Sequence, residues 1–292
     1  MVQILPYLLV GPPLLYISAL LLLPILQGIA TSFYAVEILR PDAGRFVGLA
    51  NYQRMLSDRA FWHSVWVTVY YTALVVTITI VVAMGVAQVM NLRFRGRMLA
   101  RGIITLPWAF PEVAAVLLWA WMYNQQYGPL GYFARLLGLS SGEVPWLTNA
   151  KLAMVSLIVM TVWKIFPFHA LVLLTALQAV PPERYEAARI DGANRWQTFR
   201  YVTIPGIAPT LMILILLLTI WSLRRFTTIW LLTGGGPASA TETLVIKVYS
   251  TAFNFYELGY GAALGVAGLV LSIAVTAIYF VVQARQKLSE VD

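Results

Sequence analysis

Hydrophobic residues gather in six long runs, near 4–32, 63–91, 99–123, 152–179, 208–232 and 260–283, with shorter polar segments between them. About 20 apolar residues suffice to cross a bilayer as a helix. A lipid-exposed backbone must satisfy its own hydrogen bonds, which a helix does. The pattern predicts an all-α membrane protein with six transmembrane helices, forming one transmembrane domain over 1–292. Pro24, Pro107, Pro111 and Pro167 fall inside the runs, where neighbouring helices can take up the freed carbonyls. The first run is too long for the core of a signal peptide and reads as the first span. Residues 33–62 predict a short amphipathic segment along the outer surface, with Tyr52, Phe61 and Trp62 as interfacial aromatics. Residues 233–259 open on Thr-Gly-Gly-Gly-Pro, a strong breaker.

Composition supports this reading. Of 292 residues, 60% are hydrophobic and 11% charged, and the mean hydropathy is +0.77; soluble domains carry far more charge. The net charge of +8 would suggest nucleic acid in a soluble chain. Here the basic residues orient spans instead, so no nucleic-acid partner is expected. The absence of cysteine excludes disulfides, thiolate metal sites and cysteine nucleophiles.

The charges also give a direction. Arg93, Arg95, Arg97 and Arg101 follow the second span. Arg184, Arg189, Arg195 and Arg200 follow the fourth, and Arg285 and Lys287 end the chain. The opposite side holds Arg40, Arg45, Arg54, Arg59, Arg135, Lys151 and Lys247 over much longer loops. The denser side is expected to be cytoplasmic, with both termini and the 181–207 loop inside.

That loop carries the first chemistry. Pro181 and Pro182 end the fourth span, and Glu183 and Glu186 sit where acids favour the positive end of a new helix. Glu186, Ala187 and Ile190 predict a short helix with one small face, and Gly192 offers a bend or a left-handed residue. Read from the residues alone, this could be an interfacial helix that merely joins two spans.

The spans hold the second. Glu112, Lys164, Arg224 and Arg225 lie within or near apolar runs, with His169 a weaker case. A charge at bilayer depth costs about 3 kcal/mol on insertion scales, so it is expected to face a cavity or a partner. Thr161, Lys164, Ile165 and Phe168 share one helical face, Trp108 lies four residues before Glu112, and Trp221, Ser222 and Arg225 share another. Pro111 and Pro167 cannot bond the carbonyls of Pro107 and Trp163, which are free to point elsewhere. One reading is an internal ion pair between Glu112 and Lys164 or Arg225. The other is a ligand site.

The segment Glu186-Ala187-Ala188, then Asp191-Gly192-Ala193, Phe199 and Ile204-Pro205 resembles the EAA loop of permease subunits in ATP-binding-cassette importers. Leu232-Thr233-Gly234-Gly235-Gly236-Pro237, Phe46-Val47-Gly48-Leu49 with Asn51-Tyr52, Leu106-Pro107, and Trp163 with Pro167-Phe168 extend the likeness to carbohydrate permeases of the maltose-transporter type. The extra N-terminal helices and large outer domain of the maltose protein are lacking. The resemblance implies a type I importer permease fold and a coupling role for Glu186, Ala187, Ala188, Asp191 and Gly192. It implies as partners a dimer of cytoplasmic ATPase subunits, a second homologous permease, an extracytoplasmic sugar-binding protein and membrane lipid. No cofactor is expected in this chain; ATP and Mg belong to the partner ATPase, and no phosphate-binding Gly-Lys-Ser/Thr loop is present. The resemblance also carries sugar contacts onto Trp108, Glu112, Thr161, Lys164, Ile165, Phe168, Trp221, Ser222 and Arg225. Uncharged contacts in the maltose protein become Glu112, Lys164 and Arg225 here. An acidic sugar (a uronate, a sulfonated sugar or a sugar phosphate) is one expectation and a neutral oligosaccharide the alternative.

Three rival classes make different demands. A secondary transporter would carry its own coupling-ion site and often inverted repeats, and a channel needs no docking loop. An enzyme needs converging catalytic groups, and His63 and His169 lie on different spans without metal-ligand spacing.

Overall fold

The computed structural model describes residues 5–288. In chain order the elements are α1 (Leu5–Thr31), β1 (Tyr34–Glu37), β2 (Arg40–Phe46), α2 (Ala50–Ser57), α3 (Arg59–Asn91), α4 (Arg97–Ala109), α5 (Glu112–Met122), α6 (Pro129–Leu136) and α7 (Ala150–Ala179). There follow α8 (Pro182–Ile190), α9 (Arg195–Thr198), a π-helical turn (Phe199–Thr203), α10 (Ile204–Leu223), α11 (Thr227–Thr233), α12 (Leu244–Tyr249), a second π-helical turn (Ser250–Asn254) and α13 (Leu258–Leu288). Among the described residues, five helices are long and apolar enough to cross a membrane, and the count is six when the bent pair α4–α5 is taken as one span. The sequence predicts one unbroken helix over 99–123. Instead the chain bends by 93° between α4 and α5, where Phe110 is extended ahead of Pro111. A residue before proline is driven out of the helical region, and proline has no N–H to continue the ladder. The fifth predicted run is likewise interrupted at 224–226, between α10 and α11.

By its internal contacts the chain divides into two compact units, where the sequence reads as one domain. The first comprises residues up to 65 together with 243–274. Its hairpin β1–β2 pairs antiparallel, with Tyr34 opposite Phe46. The amphipathic segment expected within 33–62 is α2; the hairpin before it is not apparent from the sequence. Asn51 ties the two together by donating to the carbonyls of Ser32 and Tyr34, at 2.8 and 3.0 Å. Met55, Phe61, Leu244, Tyr260 and Leu264 form the core of this unit. Asp58 sits at its edge, accepting from the Ala60 amide and the Tyr260 hydroxyl, with Lys247 3.7 Å away. Burial works to raise the Asp58 pKa, but the Ala60 amide, the Tyr260 hydroxyl and Lys247 outweigh it and hold the carboxyl below its usual value. The glycines of the last span serve unequally. A side chain at Gly259 would collide with the Tyr34 carbonyl and one at Gly261 would crowd Ala252, whereas Gly265 has open space around it.

The second unit comprises 66–242 and the residues from 275 onward. Helix α7 is its axis, packed against α4, α5, α10 and α11. Asn149 caps the start of α7, accepting from the amides of Lys151 and Leu152. Its far half packs Ala170, Leu173, Leu174 and Leu177 against Ala83, Met84, Ala87 and Met90 of α3 and Ile207 and Leu214 of α10. Full burial of one such leucine is worth about 1.5–3 kcal/mol, so this cluster anchors the helix that carries the site. The terminal Arg285 and Lys287, part of the expected cytoplasmic charge, have side chains outside the described residues.

Candidate functional site

Two places in the second unit assemble the residues singled out from the sequence. The first is a recess of about 220 Å³ where the α4–α5 bend meets α7 and the end of α10, lined by Trp108, Glu112, Lys164, Ile165, Phe168, His169, Trp221 and Arg225. Seven of the nine predicted substrate contacts therefore face one cavity. The other two lie beside it. Thr161 is fully buried and its hydroxyl is 2.9 Å from that of Tyr71. Ser222 is also buried, and its hydroxyl has no hydrogen-bond partner among the described residues.

The wall is aromatic. Trp108 stacks on Phe168 at 5.6 Å between centroids, and Phe168 lies 6.0 Å from Trp221. Both tryptophans are about half exposed, leaving a ring face open. His169 closes the floor, edge-on to Phe168 and Trp221, with Nδ1 2.8 Å from the Ile165 carbonyl. A carbonyl only accepts, so Nδ1 carries the proton there, and the buried Nε2 has no partner among the described residues. From the sequence His169 is the weakest case among the ionisable residues within the spans. Its position four residues after Ile165, one turn along the same helix, was the available signal.

The charges are committed to the two breaks. Where α4 ends, the carbonyls of Pro107, Trp108 and Phe110 accept from Lys164 Nζ at 3.0, 2.8 and 2.6 Å. The ammonium thus takes the place of the lost helical donors and faces the negative end of the helix dipole. The Pro107 carbonyl does point away from its helix, as the position of Pro111 suggests. Glu112 stands in the first turn of α5, the favoured place for an acid. Its Oε1 accepts from Arg225 Nη1 at 3.2 Å and from Thr228 Oγ1 at 2.7 Å, which ties α5 to the α10–α11 break. The internal ion pair is therefore Glu112–Arg225, and Lys164 is not part of it. Arg225 keeps a buried Nε with no hydrogen-bond partner among the described residues. Arg224, at the end of α10, is exposed. Thr228, one turn beyond Arg225, escaped the sequence reading. The recess can hold a flat, partly apolar guest rich in hydroxyls.

The second place is the polar segment between α7 and α10. Pro181 leads into α8, and Asp191 ends it. Gly192 has φ +75°, the left-handed conformation that glycine adopts without strain. Asn194 and Gln197 then form a reciprocal capping box at α9, and the π-helical turn 199–203 joins α10. Tyr185 and Phe199 pack onto the bundle core. Glu186, Ala187, Asp191 and Gly192 are exposed and Ala188 is half-buried. Ile190 and Trp196 are also exposed, at 86% and 70%. Neither was singled out beforehand as an exposed contact.

Residues 79–288 match the family described as "binding-protein-dependent transport system inner membrane component". The chain is 37% identical to the trehalose/maltose transport system permease protein MalF of Thermococcus litoralis, over 94% of this chain and 91% of that one. It is 32% identical to the sulfoquinovosyl glycerol transport system permease protein SmoG of Agrobacterium fabrum, over 95% and 89%. Among solved structures, a chain of the bacterial alginate transporter in complex with its periplasmic protein aligns with a TM-score of 0.80 at 21% identity, covering 94% of this chain and 92% of that one. That likeness concerns the fold.

Proposed function

The chain belongs to the family of binding-protein-dependent transport system inner membrane components, and from that premise we propose that it forms half the pore of an ATP-driven carbohydrate importer. One observation carries this reading. A single helix, α7, presents Lys164, Ile165, Phe168 and His169 to the recess and continues to Ala179, where Pro181 starts α8. At 1.5 Å per residue, Phe168 and Ala179 stand about 16 Å apart on a rigid rod. Only Val180 and Pro181 separate α8 from that rod.

In this reading α8 docks in a groove of a cytoplasmic ATPase through Glu186, Ala187, Ala188, Asp191 and Gly192, with Ile190 and Trp196 as apolar anchors. An ATPase dimer, a second homologous permease and an extracytoplasmic binding protein complete the transporter, and both termini are cytoplasmic. ATP and Mg bind the ATPase. Closure of the ATPase shifts the permease between inward-open and outward-open states only as far as ATP binds one state better than the other. In the recess, the faces of Trp108, Phe168 and Trp221 receive the apolar side of a sugar ring, while Arg225, His169 and Glu112 meet hydroxyls.

A second reading concerns substrate charge. Arg225 is paired with Glu112, and Lys164, though still charged, spends its three N–H donors on carbonyls, so an acidic sugar needs a further cation with free donors. Arg224, exposed beside the recess-lining Trp221 and Arg225, is that cation, and the named substrate of the Agrobacterium relative carries a sulfonate. The test is uptake of labelled neutral and acidic sugars by proteoliposomes holding the whole transporter. ATP-dependent uptake that needs the ATPase and binding protein supports the importer; uptake by this chain alone overturns it. Acidic-sugar uptake that survives Arg224→Ala and Arg225→Ala removes the acidic reading and leaves the neutral one.

A further inference from the structure

At the end of the bundle that carries α8, the turn between α3 and α4 forms a shallow recess lined by Arg93, Phe94, Arg95 and Arg97. Met90 and Ala100, on either side of it, belong to the same core cluster as Tyr185 and Phe199, which places the turn at that end. We propose that this recess binds the headgroup of an anionic phospholipid.

The orienting role of basic residues explains their number but not their arrangement. Three guanidinium groups border one concavity with no acid among its lining residues. Guanidinium forks pair with phosphate through two hydrogen bonds where an ammonium offers a point charge. Arg101 holds the turn by donating to the Met90 carbonyl at 3.2 Å. Gly96, at φ +85°, starts α4 with no side-chain cap and no acid in the first turn, so the positive end of that helix adds to the field.

The apolar neighbours select the ligand further. Leu99, Ile103 and Leu106 fall at i, i+4 and i+7 of α4, and all three are exposed. They form an apolar stripe leading away from the arginines into the span. A molecule matching both parts has an anionic head and hydrocarbon chains. A free phosphate would leave the stripe bare, as would an acidic peptide. Basic pockets beside transmembrane helices on the cytoplasmic side suit anionic headgroups, at roughly a tenfold gain in affinity for every 1.4 kcal/mol.

The experiment is native mass spectrometry of the full chain in detergent, titrated with dioleoyl phosphatidylglycerol or dioleoyl phosphatidylcholine. With each arginine near the surface contributing about 1 kcal/mol, the site should favour the glycerol lipid on the order of 100-fold. The triple variant R93Q/R95Q/R97Q should lose that preference. R184Q/R189Q/R195Q, which removes equal charge from the same end, should keep it. Equal retention of the two lipids by the unaltered chain overturns the proposal. So does equal loss in both triple variants, which would indicate a diffuse surface field. Unchanged lipid retention in R93Q/R95Q/R97Q with lost ATPase co-purification overturns it in favour of a protein contact. If that variant fails to fold, 0.5 M salt on the unaltered chain replaces it: the preference must fall there, and its persistence counts against the site.

Discussion

The recess and the α8 segment lie at different levels of one rod and treat their side chains in opposite ways. In the recess, the charges are satisfied within the chain: Lys164 by three carbonyls, Glu112 by Arg225 and Thr228. At α8, Ile190 and Trp196 are exposed and no residue of α8 or α9 is buried. Polar groups at bilayer depth cannot fall back on water, so they must be paired internally or by a guest. Apolar groups on the α8 segment have no such constraint, and their exposure is what the proposed docking to a partner chain rests on. The recess pairs its charges internally; the α8 segment leaves its apolar side chains exposed.

That contrast can be tested by substitution, beginning where the effect should be largest. Lys164→Met leaves three carbonyls without a donor at the α4–α5 bend, each worth about 1–3 kcal/mol when buried and unpaired. These bonds are part-buried, so the purified chain should lose about 3 kcal/mol of stability in all, read as a large drop in its thermal transition in detergent. Glu112→Ala strands the Arg225 guanidinium, whose side chain is 11% exposed. Breaking a fully buried pair costs about 3–5 kcal/mol, and the 40% exposure of Glu112 should reduce this to about 2. Glu112→Gln, which can still accept from Thr228, should recover part of it.

Trp196→Ala should do the reverse. It should leave the thermal transition of the isolated chain within about 0.5 kcal/mol and weaken ATPase capture by about 2 kcal/mol, some 30-fold. A chain that melts early on losing Trp196, with ATPase binding intact, would erase the distinction. The smallest effect belongs to Asn194→Ala. Loss of the capping box should cost about 1 kcal/mol locally, seen as faster hydrogen exchange in α9 with no change in the recess.

Much of this was legible in advance, for a definite reason. Lipid imposes one solution on the backbone, so six apolar runs translate into helices with little ambiguity. Turn chemistry is equally local: Gly192 takes its left-handed conformation and Pro181 starts α8 whatever surrounds them. Helical periodicity also placed Lys164, Ile165 and Phe168 on one face of α7, and they do line one cavity; Trp108 and Glu112 reach it from the two sides of the α4–α5 bend rather than along one helix. What escaped was long-range pairing. Thr161 looks like a ligand contact by spacing, yet its hydroxyl meets Tyr71, 90 positions away. The β1–β2 hairpin escaped because Arg40 to Phe46 has no alternating pattern, and its neighbours are joined by Asn51 rather than by strand propensity.

The sequence by itself determined the apolar spans and the turns of the polar segment between α7 and α10, because each follows from burial, proline geometry or glycine freedom over a few residues; the breaks at 110–111 and 224–226 came with the fold. Tertiary structure alone decided which charge answers which. Lys164, Glu112 and Arg225 form two arrangements rather than one triad because the bend at Pro111 exposes carbonyls on one side and a helix N-terminus on the other. An ammonium is drawn to the first and a carboxylate to the second. No spacing along the chain contains that information, since Glu112 and Arg225 meet across 113 positions.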